Sequence, residues 1–324
     1  MTDRVLQPTE EGIGIAAERI RSGGLVGMPT ETVYGLAADA GDERAVGRIF
    51  ATKNRPADNP LIVHVADVEQ ARPLVDAWSD TCDDLAGRFW PGPLTLVLRR
   101  SGQVGDLVTA GHDTVALRSP DHPVASGLIR ATGRPIVAPS ANRSGHVSPT
   151  DAAHVLQEFP DEDFPVLDGG PCVHGIESTI VAIDDDVPFV LRPGAITLSA
   201  LREVLGRVEA PVIGEQGAAP GTALHHYAPV TPATLVRTDE LDELLAESEV
   251  PVVVLSIGPR EADPPHSVIE MPEDAEGYAR VLYRTFREAD ALRASVLIVE
   301  MPPLAGGLWR AVNDRLRRAC VLRD

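Results

Sequence analysis

One loop of this chain reads Lys53-Asn54-Arg55-Pro56-Ala57-Asp58-Asn59-Pro60, and it carries the only lysine in the sequence. It lies between a predicted helix that ends near Thr52 and an apolar strand that begins at Leu61. Every other member of the Lys/Arg class is arginine, so the retention of a compact ammonium here indicates a specific need for it. Two cations on a loop shaped by Asn and Pro predict a pocket for phosphate or carboxylate. A solvated surface turn is the alternative interpretation of this stretch taken alone.

The composition predicts a cytoplasmic α/β protein with room for two domains. The chain has 324 residues, 44% of them hydrophobic, and no apolar run approaches the roughly 20 residues of a membrane span. The polar segment Met1–Glu11 predicts no signal peptide. Three scattered cysteines suit a reducing compartment and argue against structural zinc. The net charge of −19 disfavours broad binding to nucleic acid, so any contact with RNA is expected to be local or made by a partner.

Strands and helices alternate along most of the chain. Amphipathic periodicity predicts helices over 10–22, 42–52, 67–76, 81–89 and 123–131. Short apolar runs predict strands over 25–28, 61–65, 94–99, 114–118, 135–138, 166–168, 178–183 and 189–191. The segment 209–230 is loose and contains a run rich in Gly, Ala and Pro, which is typical of a linker. A second alternation over 231–324 predicts a small, mostly parallel sheet.

Polar loops follow two of the predicted buried strands. Pro29–Leu36 holds several polar groups directly after a strand, and Pro139–Gly145 does the same. Buried polar groups need partners, and ligand sites of α/β folds lie at strand ends, so these loops predict a site. A loop whose polar groups satisfy one another is the alternative for Pro29–Leu36. His64, inside a strand, could equally be a hydrogen-bonded core histidine.

Several familiar sites are excluded. The chain contains no GxxxxGK[ST] phosphate loop and no GxSxG nucleophile elbow. Gly12–Ala17 resembles a dinucleotide fingerprint but lacks the strand that should precede it. His225 and His226 are adjacent, so they would not form a metal pair on one helix face. The remaining cations and hydroxyls predict electrostatic and positional catalysis on the phosphates of ATP: Lys53, Arg55, Arg118 and Arg192, with Thr30, Thr32, Ser140, Asn142, Ser148 and Ser178.

Taken together, six motifs resemble the threonylcarbamoyl-AMP synthase, or YrdC-like, family in its longer two-domain form. They are Pro-Thr-Glu-Thr-Val-Tyr-Gly-Leu (29–36), Lys-Asn-Arg-Pro…Asn-Pro-Leu (53–61), Trp-Pro-Gly-Pro-Leu-Thr (90–95), Pro-Ser-Ala-Asn (139–142), Glu-Ser-Thr-Ile (177–180) and Leu-Arg-Pro-Gly (191–194). His-Tyr-Ala-Pro (226–229) resembles the end of the family's linker. The resemblance implies a twisted open α/β sheet domain over 1–208, a linker or lid over 209–230, and a small Rossmann-like parallel α/β domain over 231–324.

The resemblance also implies a reaction. L-Threonine, bicarbonate and ATP would give L-threonylcarbamoyl-AMP, pyrophosphate and water. The product would pass to a tRNA threonylcarbamoyl transferase complex, which modifies the adenosine beside the anticodon. Mg²⁺ is expected through the ATP phosphates and not through protein ligands.

The family pattern assigns residues to the two substrates. The L-threonine side would hold Thr32, His64, Arg118, Ala138 and Ser178. The ATP side would hold Lys53, Arg55, Asn59, Thr114, Ser140, Asn142, Ser148, Arg192 and Tyr227, with Lys53 and Arg55 as catalytic residues that hold charge on the pyrophosphate. Lys53, Arg55, Ser140 and Asn142 resemble the family's polar tetrad. In the linker the family more often has basic residues where Ala223 and His225 stand, which bears on its role as a lid.

Two other functions compete with this interpretation. One is an RNA-binding module without catalysis, in which a concave positive face holds a duplex by its shape. The net charge of −19 and the density of small-ligand polar groups count against it. The other is a carbamoyltransferase of hydrogenase maturation, whose extra cysteine-rich regions are not matched by the three cysteines here.

Overall fold

The computed structural model describes residues 4–184, 187–209 and 226–322. Two β-sheets organise these residues, and helices pack against both. Within the described residues, none of the helices has the length and apolar character needed to cross a membrane. The predicted α/β class is therefore confirmed, and its two sheets follow one another along the chain.

The first sheet is open and mixed and has ten described strands: β1 (Val5–Leu6), β2 (Val26–Met28), β3 (Gly35–Asp39), β4 (Ile62–His64), β5 (Leu94–Arg99), β6 (Thr114–Arg118), β7 (Ile136–Val137), β8 (Val166–Leu167), β9 (Thr179–Asp184) and β10 (Val187–Arg192). Their order across the sheet is β1-β8-β2-β3-β7-β4-β6-β5-β9-β10. The parallel neighbours β4 and β6 lie in its middle, where Ile62 is opposite Ala116 and His64 is opposite Arg118. Two predicted site residues thus meet on adjacent strands.

Helices cover this sheet. They are α1 (Glu10–Arg21), α2 (Glu43–Lys53), α3 (Val68–Ala71), α4 (Asp80–Phe89), α5 (Asp106–Thr109), α6 (Pro123–Thr132), α7 (Ala152–Glu158) and α8 (Leu198–Leu205). The predicted helix over 67–76 is instead α3 followed by a short 3₁₀ turn, Arg72–Leu74. The apolar stripe of α1, with Ala16, Ala17 and Ile20, packs in one buried cluster with Leu128 and Ile129 of α6.

The end of α2 positions the single lysine. Asp42 begins this helix by accepting hydrogen bonds from the amides of Arg44 and Ala45. Asn54 ends it in the left-handed conformation, with φ of 50°, which Asn tolerates better than most residues. Lys53 is therefore the last helical residue and not the first loop residue, and its side chain is buried.

The second sheet contains five described strands, all parallel, in the order β13-β12-β14-β11-β15. They are β11 (Ala233–Val236), β12 (Val252–Ile257), β13 (Ser267–Met271), β14 (Val296–Glu300) and β15 (Val321–Leu322), and their helices are α9 (Leu241–Glu247), α10 (Ala275–Ala291) and α11 (Trp309–Ala319). The small parallel α/β unit is confirmed, although β13 and β15 were not expected from the sequence.

The two halves share one apolar cluster. Val33, Val147 and Ile176 of the first half pack with residues of the second half, among them Tyr278 and Tyr283 of α10. The predicted boundaries at 208 and 230 stay a prediction, since residues 210–225 lie outside the described ranges. The described end of the linker meets the first half at Ala228, whose amide donates to the carbonyl of Gly145 at 2.9 Å.

Candidate active site

One pocket gathers most of the predicted site residues. Its empty space, with the solvent at its mouth included, is about 580 Å³. Nine of the fourteen predicted residues line it: Thr32, Arg55, His64, Arg118, Ala138, Ser140, Ser178, Arg192 and Tyr227. The other five, Lys53, Asn59, Thr114, Asn142 and Ser148, are described but do not line it. The pocket lies where the β4 and β6 ends, the two polar loops and the start of β9 converge.

His64 and Arg118 form one end of the pocket. The Arg118 Nη2 atom forms an ion pair of 2.7 Å with the Glu31 Oε1 atom, and both side chains are buried. Burial, followed by the charge of Arg118, lowers the pKa of His64 to about 3, so its imidazole is neutral near pH 7. Within the described residues, the Nδ1 atom of His64 has no hydrogen-bonding partner. A buried polar atom without a partner at a pocket wall is suited to a ligand.

The first polar loop supplies hydroxyls at the same pocket. The Thr30 and Thr32 hydroxyls lie 2.9 Å apart, and the Thr30 hydroxyl donates to the carbonyl of Val33 at 2.6 Å. Both threonines are buried and line the pocket. Both interpretations of this loop hold in part, because its polar groups partner one another and also face the cavity.

Ser178 and Arg192 are fixed to one another at the β9–β10 edge. The Arg192 Nη2 atom donates to the carbonyl of Ser178 at 2.9 Å and to its hydroxyl at 3.2 Å. Thr95 of β5 shares a hydrogen bond of 2.8 Å with the same hydroxyl. These hydrogen bonds fix the positions of the Arg192 guanidinium and the Ser178 hydroxyl relative to one another.

Arg55 lies at the other end of the pocket. Its guanidinium donates to the Asn59 carbonyl at 3.0 Å, the Asn59 side-chain oxygen at 2.6 Å and the Pro60 carbonyl at 2.7 Å. Burial lowers the pKa of Arg55 to about 10, which leaves it charged at neutral pH. Thr114 is the first residue of β6 and Arg118 is the last, so Thr114 lies at the far end of that strand from Arg118. Asn59 belongs to the Arg55 end through its hydrogen bond with Arg55, beside the lining residue Pro60.

Lys53 forms hydrogen bonds with the backbone of the second polar loop, Pro139–Gly145. Its ammonium donates to the carbonyl of Ser140 at 2.6 Å and to the carbonyl of Asn142. Asn142 in turn donates to the carbonyls of Arg143 and His146 at 2.8 and 2.9 Å. Burial and then the charge of Arg55 lower the pKa of Lys53 well below its usual value. In this arrangement the lysine orders the loop that presents Ser140 to the pocket.

Ser148 reaches the pocket through Glu177, a residue to which the sequence assigned no role. The Ser148 hydroxyl donates to the Glu177 Oε1 atom at 2.6 Å, and Glu177 lines the pocket. Burial alone would raise the pKa of Glu177, but the charges of Arg315 and Arg192 and the Ser148 hydrogen bond lower it to about 2. Glu177 is therefore a buried, fully ionised carboxylate.

The described end of the linker closes one side of the pocket. His226 and Tyr227 both line it, and their rings lie 4.1 Å apart. Burial lowers the pKa of His226 to about 3, so this histidine is a buried pocket residue and not an ordinary linker residue. Ala223 and His225, which bear on the predicted lid, lie outside the described residues.

Fold and site together define an α/β protein with a pocket that three arginines line, Arg55, Arg118 and Arg192. Residues 18–194 match the Sua5/YciO/YrdC family, described as telomere recombination, and residues 196–320 match the threonylcarbamoyl-AMP synthase C-terminal domain. The chain is 42% identical to the threonylcarbamoyl-AMP synthase of Pyrococcus abyssi, over 96% of this chain and 94% of that one. It is 38% identical to the threonylcarbamoyl-AMP synthase of Bacillus subtilis, over 97% of this chain and 94% of that one.

A solved structure agrees with these matches. The crystal structure of P. abyssi Sua5 complexed with L-threonine superposes with a TM-score of 0.92 at 39% identity, covering 99% of each chain. The chain therefore belongs to the threonylcarbamoyl-AMP synthase family, in its two-domain form, and is an enzyme of the nucleotidyltransferase class. The alternative of an RNA-binding module without catalysis is thereby set aside.

Proposed function

We propose that this chain is an L-threonylcarbamoyladenylate synthase, which converts L-threonine, bicarbonate and ATP into L-threonylcarbamoyl-AMP, pyrophosphate and water. One observation carries the proposal. A single pocket has an end suited to an amino acid, at His64 and Arg118, and an end suited to a nucleotide, at Arg55. The crystal structure of P. abyssi Sua5 complexed with L-threonine, at 39% identity, supports the first assignment.

The amino-acid end would bind L-threonine. Arg118 would hold the carboxylate with its planar guanidinium, and the neutral His64 would use its unpartnered Nδ1 atom on a polar group of the substrate. Thr32, Ala138 and Ser178 line the same pocket and would complete the threonine site. A buried arginine suits a carboxylate better than a lysine would, since its fork can bond both oxygens.

The nucleotide end would bind ATP. Arg55, Ser140 and Arg192 line the pocket and would contact phosphate oxygens, and Tyr227 would contact the nucleoside. Asn59 lies at the same end through its hydrogen bond with Arg55, and Thr114 begins β6 at the opposite end of the strand from Arg118. Asn142 and Ser148 would act through the loop and through Glu177. Lys53 was expected to hold charge on the pyrophosphate. Its contacts support a role in ordering the Ser140 loop, and the direct role stays a prediction.

The reaction would proceed in two steps. The threonine amine forms a carbamate with carbon from bicarbonate, and water leaves. A carbamate oxygen then attacks the α-phosphorus of ATP, the bond to the β-phosphate oxygen breaks, and pyrophosphate leaves. Arg55 would stabilise the charge that develops on the leaving group. Holding both substrates in one cavity would supply much of the rate through proximity.

Mg²⁺ would enter with the nucleotide. Among the described residues, no trio of His, Cys, Asp or Glu side chains is placed to hold a metal ion. The cationic donor set of the Arg55 end instead suits phosphate oxygens, which are the ligands Mg²⁺ prefers in nucleotide sites. When bound there, the ion would neutralise charge on the triphosphate.

The product would serve the N6-threonylcarbamoyl modification of tRNA beside the anticodon. A tRNA threonylcarbamoyl transferase complex would consume it, because an acyl adenylate is an activated donor. The net charge of −19 argues against a broad tRNA contact on this chain, so a local contact is all we propose. Three buried, unpaired cysteines suit a reducing compartment, and we propose the cytoplasm.

The test is the release of pyrophosphate from ATP, measured with each substrate left out in turn. We expect release only when L-threonine and bicarbonate are both present. Arg118→Met should abolish pyrophosphate release at ordinary L-threonine concentrations, while Arg44→Met, an exposed arginine on α2, should behave as the unmodified protein. Release that continues without L-threonine would overturn the proposal.

A further inference from the structure

A carboxylate from the first half of the chain is bound by side chains from the second half. The Glu177 Oε2 atom accepts hydrogen bonds from the Tyr283 hydroxyl at 2.9 Å and from the Arg315 Nε atom at 2.8 Å. Its Oε1 atom accepts the Ser148 hydroxyl at 2.6 Å. Glu177 thus connects two helices of the second half, α10 and α11, with the serine predicted to serve the nucleotide.

Arg315 also supports Tyr227. Its guanidinium carbon lies 5.3 Å from the centre of the Tyr227 ring, a cation–π distance. The opposite support is Tyr283, whose ring stacks on Tyr227 at 5.7 Å with an interplanar angle of 25°. Tyr227 has a φ of 63°, a conformation that a bulky residue keeps only when its surroundings hold it. Arg315 and Tyr283 are two of the described side chains that contact this ring.

The two halves of the chain pack closely beside these contacts. Gly175, two residues before Glu177, lies against the backbone of α10, where an added Cβ atom would come within 2.4 Å of the Arg280 carbonyl oxygen. Arg280 donates to the Val173 carbonyl at 3.1 Å. Arg315 itself is 0% exposed and is further fixed by Asp314 at 2.8 Å. The second half therefore forms a fixed wall behind the nucleotide end of the pocket.

We propose that Arg315 is a positioning residue through which the second half of the chain shapes the nucleotide site. It neutralises and orients Glu177, which holds Ser148, and it supports the ring of Tyr227. It does not touch the substrates and is not a catalytic residue. The inference rests on the proposed function, because it needs ATP to be the ligand at this end. It also gives the second half of the chain a defined part in the reaction.

The test compares kinetic constants for ATP and for L-threonine. In Arg315→Met the Glu177 carboxylate loses the Nε donor and its positive charge, and Tyr227 loses its cation. We expect the KM for ATP to rise at least about tenfold, and the dissociation constant of L-threonine, measured without ATP, to stay within about twofold. Arg315→Lys keeps a charge without the planar fork and should recover only part of the loss. Arg317→Met, a half-exposed arginine on the same helix, is the matched control.

Two further variants keep the test informative if Arg315→Met does not fold. Tyr283→Phe removes one donor to Glu177 and keeps the stacked ring, and it should raise the KM for ATP by about threefold. The double variant Ser148→Ala/Tyr283→Phe should raise the KM for ATP no more than Ser148→Ala alone does, because both substitutions act through Glu177. Additive effects of the two substitutions would overturn the inference.

The outcomes separate the inference from the proposed function. If the unmodified protein releases no pyrophosphate with all three substrates, the proposed function is wrong. If the unmodified protein is active and Arg315→Met matches Arg317→Met in its KM for ATP, the inference is wrong and the function stands. If the binding of ATP and of L-threonine weakens equally and the Tm falls, the substitution destabilises the protein in general, and the inference is overturned.

Discussion

The Arg118 guanidinium lies 2.7 Å from the Glu31 carboxylate, and the two side chains are only 4% and 3% exposed. Burial alone would raise the pKa of Glu31, but Arg118 lowers it, so the pair is ionised. Arg118 lines the pocket, whereas Glu31 lies behind it. The Glu31 carboxylate therefore fixes the guanidinium at the pocket wall, where our proposal places the carboxylate of L-threonine.

Glu31→Gln should weaken the binding of L-threonine and leave the binding of ATP unchanged. The amide keeps the shape but removes the charge that orients Arg118, and breaking a buried pair leaves an uncompensated cation. We expect the KM for L-threonine to rise about tenfold, with the KM for ATP unchanged within about twofold. Steady-state pyrophosphate release measures both, and Glu43→Gln, an exposed position on α2, is the control. An equal change in both constants would contradict this role for Glu31.

Substitution of Lys53 should lower both the free energy of unfolding and the turnover rate. Its ammonium donates to the carbonyls of Ser140 and Asn142, so Lys53→Ala leaves two inward-facing carbonyls without their donor. The loss should cost about 1–3 kcal/mol of unfolding free energy per unsatisfied group and lower turnover at saturating ATP at least about tenfold. Lys53→Arg should not restore turnover, because the planar fork does not fit a site that is 1% exposed. Urea unfolding and turnover measure the two effects, and unchanged turnover of Lys53→Ala at saturating ATP would refute the assignment.

Acid should destabilise the fold through His64. Its pKa is about 3 in the folded chain, against 6.5 for an ordinary histidine, because burial and Arg118 disfavour the charged ring. Between these two values the unfolded chain binds the extra proton, so the unfolding free energy falls as the pH is lowered from about 6.5 towards 3. His64→Asn should reduce this dependence by up to about 1.4 kcal/mol per pH unit. Urea unfolding at several pH values between 5 and 7 measures it, and identical slopes in both proteins would contradict the neutral, buried state.

Thr114→Val should affect ATP alone. Thr114 begins β6, at the opposite end of that strand from Arg118. Loss of its hydroxyl should raise the KM for ATP by about three- to tenfold and leave the KM for L-threonine unchanged. The two constants are read from pyrophosphate release. A change confined to L-threonine would reverse our assignment of the two ends.

The sequence predicts much of this site because its residues stand at strand ends and in short loops. His64 and Arg118 lie on strands that are neighbours in the sheet, so local patterns and the family motifs suffice to place both in one pocket. The roles given to individual residues stay predictions. The direction of the Lys53 side chain was not foreseen, because it depends on the left-handed Asn54 that ends α2.

The contacts of Glu177 show what sequence reasoning could not reach. Its partners Tyr283 and Arg315 lie 106 and 138 residues further along the chain, and no local pattern marks them. Arg315 resembles any arginine on an amphipathic helix until the packing of α11 buries it. Strand β13 was missed for a related reason, since only Met271 of its five residues is buried and they carry no strong alternation. Long-range packing decides both features.

The most direct test of the central claim is the mass of the product formed from ATP, L-threonine and ¹³C-labelled bicarbonate. We predict a threonylcarbamoyl-AMP that carries a single ¹³C atom, formed in step with pyrophosphate release and absent when L-threonine is left out. An unlabelled adenylate of L-threonine, or AMP formed without any carbamoyl carbon, would contradict the claim that this pocket joins all three substrates.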